Sequence, residues 1–140
     1  MAPWLFTDAI LSGRPIKVFG EGRMQRDFTY IDDIVSGVVA AHDHPPADDG
    51  AAKAGGSHAP HRVYNIGNNR AEELGRFIAV LEEACGRAAV KDYQPMQPGD
   101  VRATYADIDA IRDDLGYAPT TPIDVGLPAF VDWFRQYKGM

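Results

Sequence analysis

The sequence predicts an α/β fold that forms part of a larger assembly of layers, and three observations carry that expectation. Stretches with apolar residues three and four apart, the mark of a helix buried along one face, alternate along the chain with short β-rich runs. Four such short runs make a poor sheet on their own. Several of the helices are apolar enough to need another layer against which to pack. The 140 residues, 45% hydrophobic and 24% charged, otherwise suit one globular domain (residues 1–140) with a single core.

The elements follow in order. Pro3 suits the first turn of a helix in which Trp4, Phe6, Ile10 and Leu11 make apolar contacts until Gly13 stops it. Ile16 to Phe19 alternates as a short strand and ends at a Gly20-Glu-Gly22 loop. Arg26 to Ile31 reads as a second strand. Asp32 or Asp33 then caps a helix carrying Ile34, Val35, Val38, Val39 and His42 on one side. Residues 45–62 are rich in proline, glycine, alanine and acids with no apolar period, which predicts a flexible surface loop inserted within the domain.

Arg62 to Ile66 resumes as a buried strand ending at Gly67. Asn69 and Glu72 have capping-box spacing ahead of a helix marked by Leu74, Phe77, Ile78, Leu81 and Cys85, with Gly86 as its left-handed stop. Ala89 to Tyr93 is the fourth strand, and Pro95 to Asp100 a loop rich in turn residues. Asp107 caps a short helix with Ile108, Ile111 and Leu115, closed by Gly116. Thr121-Pro122 opens the last helix, lined by Ile123, Leu127, Phe130 and Phe134. Pro128 removes a hydrogen bond inside that helix and predicts a kink. About five helices result, and there is no internal repeat.

Composition excludes several classes of function. A net charge of −6 argues against a nucleic-acid or anionic-membrane surface. The longest apolar stretch, Ile34 to Ala41, is too short to span a bilayer and contains Ser36 and Gly37. The first residues lack the basic segment of an export signal, and Asp8 interrupts their apolar run. The single cysteine, Cys85, excludes an internal disulfide, fits a reducing, cytoplasmic setting and sits on an apolar helix face as an inert thiol. His42, His44, His58 and His61 have no cysteine or carboxylate at ligand spacing, so no metal site is expected.

Local chemistry concentrates in two segments. Arg26 follows a glycine-flanked loop and enters a strand, so its planar fork of donors has a fixed direction suited to an anion. A charge-assisted contact of that kind is worth roughly 1.5–3 kcal/mol. In Pro98-Gly99-Asp100-Val101-Arg102, proline and glycine fix a loop from which Asp100 can accept hydrogen bonds from vicinal sugar hydroxyls. The adjacent Asp32 and Asp33 point in different directions at a helix start and read as caps. Gly20-Glu-Gly22 lacks the third glycine and the following helix of a dinucleotide fingerprint.

Taken together, these segments resemble the C-terminal portion of the extended short-chain dehydrogenase/reductase family, in particular its UDP-glucuronate 4-epimerase branch. The resemblance runs nearly end to end. Gly13-Arg-Pro-Ile-Lys-Val-Phe-Gly-Glu-Gly22 and Arg26-Asp-Phe-Thr-Tyr-Ile-Asp-Asp33 are general to nucleotide-sugar epimerases, dehydratases and decarboxylases. Ala59 to Asn69, the Glu72-Glu-Leu that follows, and Pro95-Met-Gln-Pro-Gly-Asp100 are more discriminating and point to the glucuronate branch over its galactose relatives.

The resemblance implies a UDP-sugar ligand and roles for particular residues. Lys17, Val18 and Phe19 correspond to the strand along the uracil ring, Arg26 to the arginine that pairs with the diphosphate, and Asp100 to the acid near the nucleotide ribose. Gln97 stands where galactose relatives carry a second diphosphate-binding arginine, and Arg102 is the candidate to replace it. The family's N-terminal Rossmann half carries the NAD fingerprint, the catalytic Tyr-x-x-x-Lys and the helices of the usual dimer. These 140 residues contain neither motif: Tyr30 and Tyr64 have no lysine four positions on. No catalytic or NAD-binding residue is therefore assigned within the chain, and no dimer is assumed. The resemblance implies an NAD-dependent isomerase in the complete enzyme and no epimerisation by this chain alone. Another nucleotide-sugar epimerase, dehydratase or decarboxylase, or a non-catalytic nucleotide-sugar-binding module, fits the same residues.

Overall fold

A computed structural model describes residues 2–140. Five helices and four short strands follow one another as α1 (Ala2–Ser12), β1 (Ile16–Phe19), β2 (Gln25–Asp27), α2 (Ile31–Asp43), β3 (Ala71–Glu73), α3 (Leu74–Cys85), β4 (Lys91–Gln94), α4 (Asp109–Leu115) and α5 (Ile123–Lys138). The strands form two separate pairs. β1 lies parallel to β4 in the register Ile16↔Lys91 to Phe19↔Gln94, and β2 runs antiparallel to β3 with Arg26 opposite Glu72.

Two apolar clusters organise the chain. The larger is centred on α3, whose Phe77, Ile78 and Leu81 are fully buried against Ala9 and Ile10 of α1, Ile16 and Val18 of β1, and Ile123, Leu127 and Val131 of α5. These positions on α3 are those the helical period of its sequence marks, and Gly86 closes the helix in the left-handed conformation at φ +66°. Phe28, just beyond β2, stacks on Phe77 with ring centroids 4.2 Å apart. Trp4 packs edge-on to Phe134 at 4.7 Å, joining α1 to the end of α5. The smaller cluster joins Ile108 and Ile111 of α4 to Tyr117, with Tyr64 and Ile66 packed against them. α5 runs on through Pro128 as one helix.

Several sequence expectations are corrected. The second strand ends at Asp27, and Tyr30 rather than an aspartate occupies the N-cap of α2, with no side-chain cap bond. Asp33 turns inward: its buried carboxylate accepts the N–H groups of Thr120 at 3.2 Å and Thr121 at 3.1 Å, tying α2 to the approach of α5. The apolar stripe of α2 faces outward, while Asp33 and Gly37 face the protein.

Residues 62–66 take up no strand pairing. Their place as third strand falls to β3, which the sequence reading assigned to a helix start. The capping box fails for the same reason. Asn69 has φ +54°, Glu72 lies in β3 opposite Arg26, and α3 begins only at Leu74. Residues 45–62 are irregular and mostly exposed, apart from a single 3-10 turn at Ala54–Gly56. Asp107 stands one residue ahead of the N-cap of α4 and accepts the Asp109 N–H at 3.0 Å.

Candidate nucleotide-sugar site

The parallel pairing of β1 and β4 brings the ends of both strands to one edge of the molecule. From that edge β1 passes into the Gly20–Gly22 turn and β4 into the loop 95–100. The loop doubles back through Pro98-Gly99: the Asp100 N–H donates to the Gln97 carbonyl at 3.1 Å, and Gly99 sits at φ +83°. Proline followed by a residue of positive φ is the signature of a type II turn, which strongly favours glycine at its third position. The turn carries Asp100 onto β2.

There Arg26 meets it. Arg26 Nη2 lies 2.6 Å from Asp100 Oδ1, an ion pair between residues 74 positions apart in sequence. Its Nη1 donates to the Gln25 carbonyl at 2.8 Å, and its Nη2 also approaches the Met24 sulfur at 3.7 Å. Of the five N–H donors on a guanidinium, these contacts take three and leave two for an anion. Asp100 Oδ1 is in turn held by the Val101 N–H at 2.9 Å. The next residues run beside β2, with the Gln25 N–H donating to the Arg102 carbonyl at 2.8 Å and the Thr104 N–H to the Gln25 carbonyl at 3.1 Å. The result is an arginine clamped against a carboxylate, with both side chains about a quarter to a third exposed (24% and 30%).

The other expected site residues divide. Lys17 is exposed and Phe19 half-buried on β1, at the same edge. Val18 is buried in the main core, so its side chain cannot touch a ligand and only its backbone is available. Arg102 is exposed and joins the cluster through its carbonyl, while Gln97 is exposed at the start of the turn.

One residue with a part in this geometry escaped the sequence reading. The Asp27 carboxylate accepts three backbone N–H groups: Asn68 at 2.9 Å on Oδ1, and Asn69 at 3.1 Å and Ala106 at 3.0 Å on Oδ2. It fixes segments 67–69 and 104–106 to the strand that carries Arg26. Thr104 adds a hydroxyl that accepts the Asp27 N–H at 3.2 Å. Its partners lie some forty and eighty residues away, so no local pattern announced it.

Two open grooves flank this region. One of about 470 Å³ is lined by Asp27, Thr29, Asn65, Thr104 and Tyr105, and one of about 680 Å³ lies against the irregular segment near Arg62, Tyr64 and Asp114. Arg26 and Asp100 line neither groove. Their pair stands on an open face, as one wall of a cleft would. Among the described residues, no three His, Cys, Asp or Glu side chains gather as metal ligands. Burial pushes the Cys85 thiol up from its ordinary pKa, which keeps it protonated and unreactive. Among the described residues no helix is long and apolar enough to cross a membrane.

A fold of parallel and antiparallel strand pairs around α3 matches one family of nucleotide-sugar enzymes. The family profile described as GDP-mannose 4,6 dehydratase matches residues 5–129, and the chain belongs to that family. Within it, the chain is similar to a probable UDP-glucuronate 4-epimerase of Rhizobium meliloti, with 42% identity over 142 residues that cover 97% of this chain and 42% of the relative.

Among solved structures, the UDP-glucuronic acid 4-epimerase of Bacillus cereus, in complex with UDP-glucuronic acid and NAD, superposes with a TM-score of 0.81. Its identity is 32%, covering 98% of this chain and 40% of that one. The UDP-glucose 4-epimerase of Thermotoga maritima, solved with UDP-glucose, superposes at 0.80 with 28% identity, covering 99% and 40%. The chain thus spans about two fifths of the length of these relatives, and it matches the C-terminal portion of extended Rossmann-type epimerases.

Proposed function

We propose that this chain is the UDP-sugar-holding part of an NAD-dependent UDP-glucuronate 4-epimerase, which interconverts UDP-glucuronate and UDP-galacturonate. The observation that carries the reading is the meeting of Arg26 and Asp100 at 2.6 Å where β1 and β4 end. One side chain there suits a diphosphate and the other a ribose diol. A guanidinium reads phosphate oxygens through paired N–H donors, and a carboxylate can accept both hydroxyls of a vicinal diol.

In this reading the β1 backbone at Lys17–Phe19 lies along the uracil, and the two remaining donors of Arg26 take the diphosphate. Asp100 takes the ribose, with Gln97 and Arg102 at the rim of the same turn. Family membership supports a nucleotide-sugar ligand, and the R. meliloti and B. cereus relatives favour UDP-glucuronate.

NAD supplies the transient oxidation at C4 in such an enzyme, but these residues do not fit NAD. The Gly20–Gly22 turn leads into a strand and not into a helix, so no helix N-terminus faces a pyrophosphate there. The chain's own contribution is to bind and orient the nucleotide, and no bond-making step is assigned to it. The family profile and the UDP-glucose relative keep a second reading in view, an epimerase or dehydratase acting on another nucleotide sugar.

The test is to place the unmatched N-terminal portion of the R. meliloti relative upstream of this sequence. Purified fusion is then assayed with UDP-glucuronate for UDP-galacturonate, with UDP-glucose and UDP-xylose as competitors. Interconversion that is lost in Arg26→Ala supports the reading. Turnover of another nucleotide sugar in place of UDP-glucuronate selects the second reading, and no turnover of any UDP-sugar overturns both.

A further inference from the structure

α5 is apolar on two faces, and only one of them is covered among the described residues. Ile123, Leu127, Val131 and Phe134 are buried, the first three of them in the main core around α3. On the far side Val125, Ala129, Trp133 and Tyr137 follow one another four residues apart and all are exposed, Val125 at 58%, Trp133 at 48% and Tyr137 at 65%. A surface helix ordinarily carries one apolar stripe, with polar and charged residues opposite it. A second stripe left in water marks an interaction surface.

The aromatic end of this stripe is held in place. The Trp133 and Tyr137 rings stack with centroids 5.3 Å apart, and Trp4 of α1 meets Trp133 at 6.2 Å and Tyr137 edge-on at 5.7 Å. The Lys138 ammonium lies over the Trp4 ring, 5.3 Å from its centroid. Rings already fixed by their neighbours lose little side-chain freedom when a partner covers them. Tryptophan and tyrosine are also among the residues that most often anchor an interface.

The same helix carries the shape and charge of its partner. Residues four apart form a ridge inclined to the helix axis, and two such ridges interdigitate when their helices cross at about −50°. This ridge is low at Ala129 and high at Trp133, so it complements itself when a second α5 runs antiparallel to the first. Trp133 of each copy then comes over Ala129 of the other, and Val125 beside Tyr137. Charge selects the same direction. The exposed acids Asp124 and Asp132 precede the bases Arg135 and Lys138 along α5. Antiparallel pairing sets Asp124 of one copy toward Lys138 of the other and opposes the two helix dipoles, whereas parallel pairing brings like charges together. We infer that the outer face of α5 is a two-fold symmetric interface between copies of this chain. It is independent of the nucleotide site proposed above.

Sedimentation velocity of the 140-residue chain, from low micromolar to near-millimolar concentration, is expected to show a monomer giving way to a dimer. Tryptophan emission should shift to the blue over the same range as Trp133 leaves water. One helix face makes a small interface, so association in the micromolar range is expected. Ala129→Arg is expected to raise the dissociation constant about ten-fold or more, because the long charged side chain fills the space that Trp133 of the other copy needs. Val38→Asp, on the exposed stripe of α2, is expected to leave it unchanged. Lys138→Glu should weaken association several-fold, since it sets an acid against Asp124.

These three positions face water, so the variants should keep the circular dichroism spectrum of the parent. Ala129→Glu replaces Ala129→Arg if the latter alters that spectrum. A chain that stays monomeric near millimolar concentration overturns the inference. So does a dimer that survives substitution of Ala129, and so does one that Val38→Asp disrupts, which makes α2 the contact. Tighter association of Lys138→Glu overturns it as well, because only a parallel pair is relieved by that change.

Discussion

Arg26 and Asp27 are neighbours in sequence with opposite tasks, and substitutions should separate them. Arg26 reaches toward an open face, where it pairs with Asp100. In the fusion, Arg26→Ala is expected to weaken UDP binding by about ten- to a hundred-fold, the equivalent of the roughly 1.5–3 kcal/mol of a charge-assisted hydrogen bond. It should leave the denaturation midpoint near that of the parent. Calorimetry with UDP, alongside a urea titration, checks both halves of that statement.

Asp27 should show the reverse emphasis. Asp27→Ala strands three backbone N–H groups and should lower stability by about 2 kcal/mol, read as a shift of the urea midpoint. An unmoved midpoint would mean that the three hydrogen bonds are replaced by water at no loss. Asp33 belongs with Asp27. Asp33 was expected to cap its own helix, and it, like Asp27, instead receives N–H groups from residues far along the chain.

Among the elements, α3 is the one on which the others converge, since α1, β1 and α5 all pack against it. Phe77 is fully buried there between Phe28 and Phe6. Phe77→Ala is expected to destabilise the chain by about 3–5 kcal/mol, which urea or thermal unfolding would report as partial or complete loss of the folded state.

The helices were the legible part of this sequence, because a buried stripe repeats every three to four residues and glycine stops mark their ends. α3 and β1 lie where the periodicity puts them. The short strands were less legible. β2 is three residues long and pairs with β3, which has little apolar character of its own, so neither has a local period to read. Residues 62–66 carry a good strand pattern but pair with no strand among the described residues. At the site, Arg26 and Asp100 stood out through residue type and loop chemistry. Asp27 was invisible because three distant N–H groups define its role.

At the scale of the whole molecule, two apolar clusters are joined by polar contacts rather than by one continuous core, and Tyr117 lies at that junction. Its hydroxyl donates to the Gly67 carbonyl. Burial, with the nearby charges of Asp33 and Asp27, holds its pKa above the ordinary value of 10.0. A raised folded-state pKa means that the stabilisation from this neutral hydroxyl is complete below about pH 10, the unfolded value, and is lost as pH rises through the folded value. Stability should therefore fall in alkaline solution. Tyr117→Phe should flatten that fall while lowering stability at neutral pH through the lost hydrogen bond. Unfolding midpoints measured from pH 7 to 11 test it, and equal alkaline slopes in parent and variant would count against it.

The β1–β4 pairing has a kinetic consequence as well. Ile16 finds Lys91, and Gln25 finds Ala103, only after most of the chain lies between them. Contacts of such long sequence separation close late and slow folding, because the entropy of the intervening loop is lost before the contact forms. The edge that carries Arg26 and Asp100 therefore closes late. During synthesis on a ribosome, β1 waits as an unpaired strand until the residues of β4 have emerged.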